Sequence, residues 1–147
     1  MDISSKDYSQ MVKKASPPSK HLKNCIMAFL FGGFICSLGE AFFQIYQKLN
    51  IGEENSRMLA SVTLIFLAAL LTGLKVFDNI AKVAGAGTLV PITGFANSVV
   101  SPAIEFKKEG FVLGVGANMF KIAGPVIVYG TIASVIYGVV YWITTLL

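Results

Sequence analysis

Four long stretches of this chain contain no charged residue, and they constrain the fold more than any other feature. They cover residues 24–39, 58–74, 83–104 and 122–147. Burying a charged side chain in hydrocarbon costs kilocalories per mole, so a chain embedded in a bilayer keeps its charges in a few short segments. Of the 147 residues, 54% are apolar and only 14% are charged. A small water-soluble domain cannot cover that much apolar surface, so the sequence predicts an integral membrane protein.

Three segments are long enough to cross a bilayer as helices. A helix rises about 1.5 Å per residue, so hydrocarbon about 30 Å thick needs about twenty residues. The sequence predicts spans over 24–46, over 58 to about 77 and over 125–147, the last opening with Pro125 in the favourable first turn. The first span is too long for a signal peptide and lacks a cleavage site, so we expect it to remain in the mature protein.

The stretch 83–104 is apolar enough to cross, but glycine and proline interrupt it. Five lysines precede the first span, which places the amino terminus in the cytoplasm. If the stretch crosses, the cations divide seven inside against five outside; if it returns to the same side, they divide ten against two. The charge bias favours a re-entrant or broken helix over a fourth span. We therefore predict an all-α integral membrane fold with three full transmembrane helices in a single domain over 24–147.

Residues 1–23 form a basic tail that we expect in the cytoplasm. Ser4 and Asp7 have the spacing of a capping box, and four apolar residues then recur at helical spacing. That pattern predicts a short helix on the membrane surface, ended by Pro17. A disordered basic tail is the alternative. The apolar positions are Tyr8, Met11, Val12 and Ala15.

The residues that catalysis requires are almost absent from this sequence. His21 is the single histidine, and there is no G-x-x-x-x-G-K-[ST] and no H-E-x-x-H. Cys25 and Cys36 lie about three helical turns apart without further metal-ligating partners, so we interpret them as packing residues. We predict no enzyme activity, no cofactor, no metal site and no nucleic-acid partner.

Charged residues near the apolar stretches have two interpretations each. Glu40 lies inside the first span, where it either lines or gates a pore or pairs with Gln44 near the interface. Lys107, Lys108 and Lys121 either surround a cytoplasmic mouth that attracts a dianion or belong to solvated loops facing lipid headgroups.

The glycine-rich stretch supplies the candidates for a solute path. Asn97 and Asn118 need hydrogen-bond partners in apolar surroundings, so they either contact solute or join helices. Three or four spans are too few to enclose a path, and small residues at four-residue spacing favour close helix packing, so we expect an oligomer or partner subunits. The candidate path residues are Gly85, Gly87, Pro91, Gly94, Asn97, Ser101 and Asn118.

One long run of this sequence resembles a known family. Residues 85–130 read GAGTLVPITGFANSVVSPAIEFKKEGFVLGVGANMFKIAGPVIVYG, and the tail carries K-x-x-S-P-P over 13–18. Both are similar to the stage V sporulation A membrane proteins of endospore-forming bacteria, the family that unites AC-type and AE-type subunits. The resemblance covers nearly the whole chain.

The resemblance implies a membrane subunit of the channel that moves dipicolinic acid, with calcium, across the spore inner membrane during sporulation and germination. It implies two partners, a sister AE-type membrane subunit and a soluble AD subunit with a thiolase-like fold. Helices interrupted by glycine are easily tilted, so we add the hypothesis that membrane tension opens the path. The alternative function is a non-conducting scaffold that docks and stabilises the other subunits.

Overall fold

The computed structural model describes residues 5–15 and 20–146, and within these ranges the chain forms helices and no strand. A 3₁₀-helix and a π-helix precede the last α-helix. The elements are α1 Ser5–Ala15, α2 His21–Lys48, α3 Glu53–Gly73, α4 Phe77–Ala84, α5 Ala86–Leu89, α6 Ile92–Glu105, the 3₁₀-helix Lys107–Glu109, the π-helix Phe111–Gly116 and α7 Ala117–Leu146.

Three helical stretches of the described chain are long and apolar enough to cross a membrane: His21–Lys48, Glu53–Gly73 and Phe111–Leu146. This confirms the predicted number of full spans, but the predicted bounds of the second and third spans were wrong. The second begins at Glu53, not at residue 58. The second span ends at Gly73, and Lys75 lies in a turn with φ of 59°. The third begins at Phe111, and Pro125 lies inside α7. Membrane helices tolerate an internal proline where neighbouring groups satisfy the freed carbonyl.

The first two spans form an antiparallel hairpin. They are joined at residues 49–52, where Asn50 and Gly52 adopt positive φ angles of 57° and 84°. The hydroxyl groups of Tyr46 and Thr63 are 2.8 Å apart and share a hydrogen bond between the helices. Because the helices run in opposite directions, the beginning of α2 and the end of α3 lie at the same end of the molecule, which we call the lysine-rich end.

Helix α4 lies across the lysine-rich end, from the end of α3 to the beginning of α2. Phe77 opens α4 and is buried against Ala68 of α3. At its other end, Lys82 and Val83 line one cavity together with His21 of α2. The turn at Lys75 and the crossing of α4 bring the chain back beside the first span. Helix α5 then begins there and runs inward.

The glycine- and proline-rich stretch enters and leaves at the lysine-rich end. Helix α5 runs inward against α2, and Pro91 after it lies beside Cys36, near the middle of the first span. Helix α6 returns along α3 until Ser101 and Glu105 share a cavity with Lys75. The structure therefore supports the re-entrant alternative, and we call residues 83–104 the re-entrant segment.

The last span packs on its own chain only at its beginning. The π-helix and the first turns of α7 contact α6, and Ala123 is buried there. Every residue over 125–146 is exposed. In a membrane protein, surface exposed in this way faces lipid or another protein.

The amino-terminal segment forms a short helix, α1, and its position on a membrane surface stays a prediction. Its apolar residues Tyr8, Met11 and Val12 are exposed. The predicted cap at Ser4 and the predicted stop at Pro17 lie outside the described residues.

Candidate functional site

A groove between α6 and the beginning of α7 contains the largest set of the predicted site residues. Its volume is about 350 Å³. Four candidate path residues and one candidate lysine line it: Gly94, Asn97, Ser101, Asn118 and Lys121. We call this space the α6–α7 groove. The re-entrant geometry creates this groove, because α6 ends and the last span begins at the lysine-rich end, so that the two helices lie side by side.

The remaining candidate path residues shape other surfaces. Gly87 and Pro91 line a depression against α2, and Gly85 lines the cavity beside His21. Lys107 and Lys108 are exposed on the 3₁₀-helix that follows α6. The structure thus separates the three predicted lysines, with Lys121 lining the groove and the other two at the surface near its charged end.

Asn97 joins α6 to α3. The hydroxyl of Thr72 lies 2.9 Å from Asn97 Oδ1 and 2.7 Å from the carbonyl of Ala68. One hydroxyl proton cannot serve two acceptors. Rotating the amide so that Nδ2 donates to Thr72 lets the hydroxyl donate to Ala68, and it turns Oδ1 away from α3. Asn97 therefore fixes the re-entrant segment to the second span.

Asn118 bonds within its own helix. Its Nδ2 donates to the carbonyl of Gly114 at 2.8 Å. Gly114 is buried in the π-helix, where an added Cβ would lie 2.8 Å from the carbonyl oxygen of Phe106. The amide thus stabilises the junction at which the last span meets the loop after α6, and it leaves Oδ1 as an acceptor.

Two glycines permit the close packing of the re-entrant segment. A Cβ on Gly94 would collide with the backbone of Leu89, and a Cβ on Gly87 would lie 2.9 Å from Cα of Ala28. Backbone atoms cannot move aside as the end of a flexible side chain can. Both positions therefore require glycine for a steric reason, because a single methyl group would separate α5 from its neighbours.

Prolines leave two groove residues without their usual helical partner. Pro102 lies inside α6 and Pro125 inside α7. Proline has no N–H, so neither can bond to the carbonyl four residues earlier, at Ser98 and Lys121 respectively. Both of these residues line the groove. Each carbonyl then needs a partner from a neighbouring helix, a side chain or water.

Glu105 lines the groove but was not among the predicted site residues. The sequence places it in a charged cluster over 105–109, which favours a solvated loop. Its position as the last residue of α6, with Lys121 on the opposite helix, gives the groove one acid and one base at the lysine-rich end. In the sequence, the only signal for Glu105 was its position directly after the apolar stretch 83–104, where a helix is expected to end.

Glu40 is remote from the groove in the structure. It is exposed on α2, and Gln44 Nε2 donates a hydrogen bond to Glu40 Oε1 at 3.1 Å. The pairing with Gln44 agrees with the interfacial interpretation.

The groove is lined by polar and charged residues as well as by apolar ones. It presents two amides, hydroxyl groups and the charges of Glu105 and Lys121 to one open space. Across residues 5–15 and 20–146, no three histidine, cysteine or acidic side chains lie close enough together to hold a metal ion.

Comparison with known proteins agrees with the resemblance in the sequence. The family model described as SpoVAC/SpoVAEB sporulation membrane protein matches residues 24–140. The chain is 45% identical to Stage V sporulation protein AC of Bacillus subtilis (strain 168) over 135 residues, which is 91% of this chain and 90% of the relative. No solved structure matches the chain significantly.

Proposed function

Because the chain belongs to the SpoVAC/SpoVAEB family of sporulation membrane proteins, we propose that it is a membrane subunit of the dipicolinic acid channel of the spore. The solute is dipicolinate with calcium, and the membrane is the inner membrane of the forespore and spore. The AE-type membrane subunit and the soluble AD subunit are its proposed partners. The amino terminus and the lysine-rich end face the cytoplasm, or core, side.

The observation that carries this proposal is the α6–α7 groove. The re-entrant segment is broken at Gly85 and Pro91, and α6 returns from the break beside α7 to form the groove. Pro102 and Pro125 leave the carbonyls of two groove residues, Ser98 and Lys121, without their usual helical N–H partner. Such backbone is tolerated where it lines a hydrated path. The groove is open on one side, so a partner subunit or a second copy completes the path.

Charge at the lysine-rich end supports attraction of an anion. Seven lysines of the described chain lie there, against Lys48 and Arg57 at the other end. Asp78, Glu105 and Glu109 share this end with the lysines, and the net positive charge that remains raises the local concentration of an anion and increases its rate of entry. The seven are Lys20, Lys23, Lys75, Lys82, Lys107, Lys108 and Lys121.

Accessibility of the groove tests the proposal directly. In a background with Cys25→Ala and Cys36→Ala, we expect Ser101→Cys to react with a membrane-impermeant thiol reagent in the assembled complex. Ile136→Cys, on the exposed part of α7, is the matched control and should stay unreactive in lipid. Equal lack of reaction at both positions would contradict a hydrated groove.

The lysines provide a second test, which the structure sharpens. Lys121→Gln should slow loading of dipicolinate more than the double substitution Lys107→Gln/Lys108→Gln, because only Lys121 lines the groove. The triple substitution should slow it most while the protein remains in the membrane. Normal loading by the triple variant would contradict the attraction role.

The scaffold function is the second candidate, and the unpacked part of α7 favours it. A spanning helix exposed over 125–146 offers a large surface for docking other subunits. Thiol reactivity separates the two functions: a scaffold leaves Ser101→Cys unreactive but still requires α7. Tension gating is tested by patch recording on the complex in liposomes, where current independent of tension would contradict it.

A further inference from the structure

Another cavity, whose open surface is apolar, lies between the middle of α2 and the second half of α3, and Phe77 and Ile80 of α4 also line it. Its volume is about 260 Å³. Phe31 and Phe34 of α2 and Leu64 and Leu67 of α3 form two of its walls. The back wall is the re-entrant segment, through Thr88 and Thr93. The cavity therefore touches both spans of the hairpin and the broken segment at once.

The cavity offers no hydrogen bond to water. Thr88 Oγ1 donates to the carbonyl of Gly85 at 3.1 Å, and Thr93 Oγ1 donates to the carbonyl of Thr88 at 3.3 Å. The other lining residues are apolar. Apolar cavities of roughly 150 Å³ in proteins stay dry and take up benzene or xenon. This cavity is larger, so its natural occupant is hydrocarbon.

The cavity is open beside the middle of α2 and the last turns of α3. Phe34 and Leu70 line it and are 62% and 48% exposed. Leu70 lies three residues before the end of α3, whereas Phe34 lies at the centre of the first span, His21–Lys48. At that depth the molecules outside the protein are the acyl chains of lipids.

The size of the cavity selects its occupant. The cavity has less than twice the volume of the apolar cavities, roughly 150 Å³, that take up benzene, so it does not admit a helix about 10 Å wide. A partner helix therefore cannot enter, whereas a chain one methylene wide can. We propose that an acyl chain of a membrane lipid occupies this cavity and packs against Thr88 and Thr93.

This lipid site goes beyond the proposed channel function, because it requires only that the protein lies in a bilayer. Its consequence is that lipid forms part of the packing behind the re-entrant segment. The position of that segment then depends on whether the cavity is filled.

Photo-crosslinking tests the site. The purified full-length chain is reconstituted in phosphatidylcholine carrying a diazirine at the middle of one acyl chain, and adducts are mapped by mass spectrometry. We expect adducts concentrated on Phe31 and Phe34, and we expect Leu67→Trp, which fills the cavity, to abolish them. Phe66→Trp is the matched control, because Phe66 is 63% exposed and does not line the cavity. Adducts should persist in this control.

Two results would overturn the proposal. One is an even distribution of adducts over exposed apolar side chains of α2, α3 and α7 that Leu67→Trp does not change. The other is loss of the adducts when the partner membrane subunit is added, which would assign the cavity to a side chain of that partner. If Leu67→Trp aggregates, the smaller Leu71→Phe fills the same cavity. No solute is present, so the result is independent of the channel proposal.

Discussion

The re-entrant segment and the last span are both rich in glycine and proline, yet one is broken and the other is continuous. In the re-entrant segment, Gly87 and Gly94 press against backbone of neighbouring elements. In α7, a Cβ added at Gly130 or Gly138 would meet no atom within 4 Å beyond its own helix. Pro91 adopts an extended conformation between helices, whereas Pro125 lies within α7.

The difference lies in the surroundings rather than in the composition. The re-entrant segment is enclosed by α2, α3 and α7, so backbone groups freed by its breaks can meet protein or the groove. Residues 125–146 have no such neighbours among the described residues, and a continuous helix is then the conformation that satisfies their backbone. The breaks themselves fall at Gly85, which adopts a positive φ of 53°, and at Pro91, whereas Gly87 and Gly94 lie inside short helices and permit close approach of backbone.

The largest expected effect is the loss of close packing. Gly87→Ala and Gly94→Ala should each destabilise the protein by about 1–3 kcal/mol, because the methyl group forces backbone apart. Gly130→Ala is the matched control and should stabilise by up to about 1 kcal/mol through helix propensity. Unfolding in a denaturing detergent titration measures all three. Equal stability of Gly87→Ala and Gly130→Ala would remove the contrast between the two regions.

A smaller effect is expected at the two asparagines. Asn97→Ala should cost about 1 kcal/mol, because it breaks the bond between α6 and Thr72 of α3. Asn118→Ala should cost about half as much, because its bond stays within one helical stretch. The same titration compares them, and a larger cost at Asn118 would contradict the assigned roles.

Pro125→Ala should have a modest effect of opposite sign. The new N–H can bond to the carbonyl of Lys121, so stability should rise by about 0.5–1 kcal/mol. Hydrogen exchange at residues 121–126 should slow. If exchange there is unchanged, the carbonyl already has another partner.

The smallest effect is expected at Glu40, outside both regions. Glu40→Gln keeps a side chain that Gln44 can still bond, so stability should stay within about 0.5 kcal/mol and dipicolinate loading should be normal. A marked loading defect in sporulating cells would restore Glu40 as a gating residue.

Charge and hydropathy predicted the spans well but their ends poorly. The first span, predicted over 24–46, is contained in His21–Lys48. Pro125 was assigned to a helix start because proline fits the first turn, yet the same residue is tolerated inside a membrane helix. Nothing in the local sequence separates these two cases.

The groove could be predicted only in part. Polarity within apolar sequence identified Asn97, Asn118 and Lys121, and the structure places all three in the α6–α7 groove. Glu105 was missed, and Lys107 and Lys108 lie outside the groove. The packing of α6 beside α7 depends on the turn at Lys75 and on the path of α4. The periodicity of apolar residues predicts neither of them.

The π-helix at the start of the last span has a consequence for rotational register. Val115 N–H bonds to the carbonyl of Gly110, five residues back, at 2.9 Å. A π turn holds one residue more than an α turn, so everything after it is rotated by about 100°. Deleting Val112 would therefore swing Asn118 and Lys121 away from α6 while leaving every groove side chain intact. The number of residues in the π-helix thus sets the rotation of α7 about its own axis. A single-residue deletion there changes the orientation of every groove side chain on α7, whereas a substitution changes one side chain.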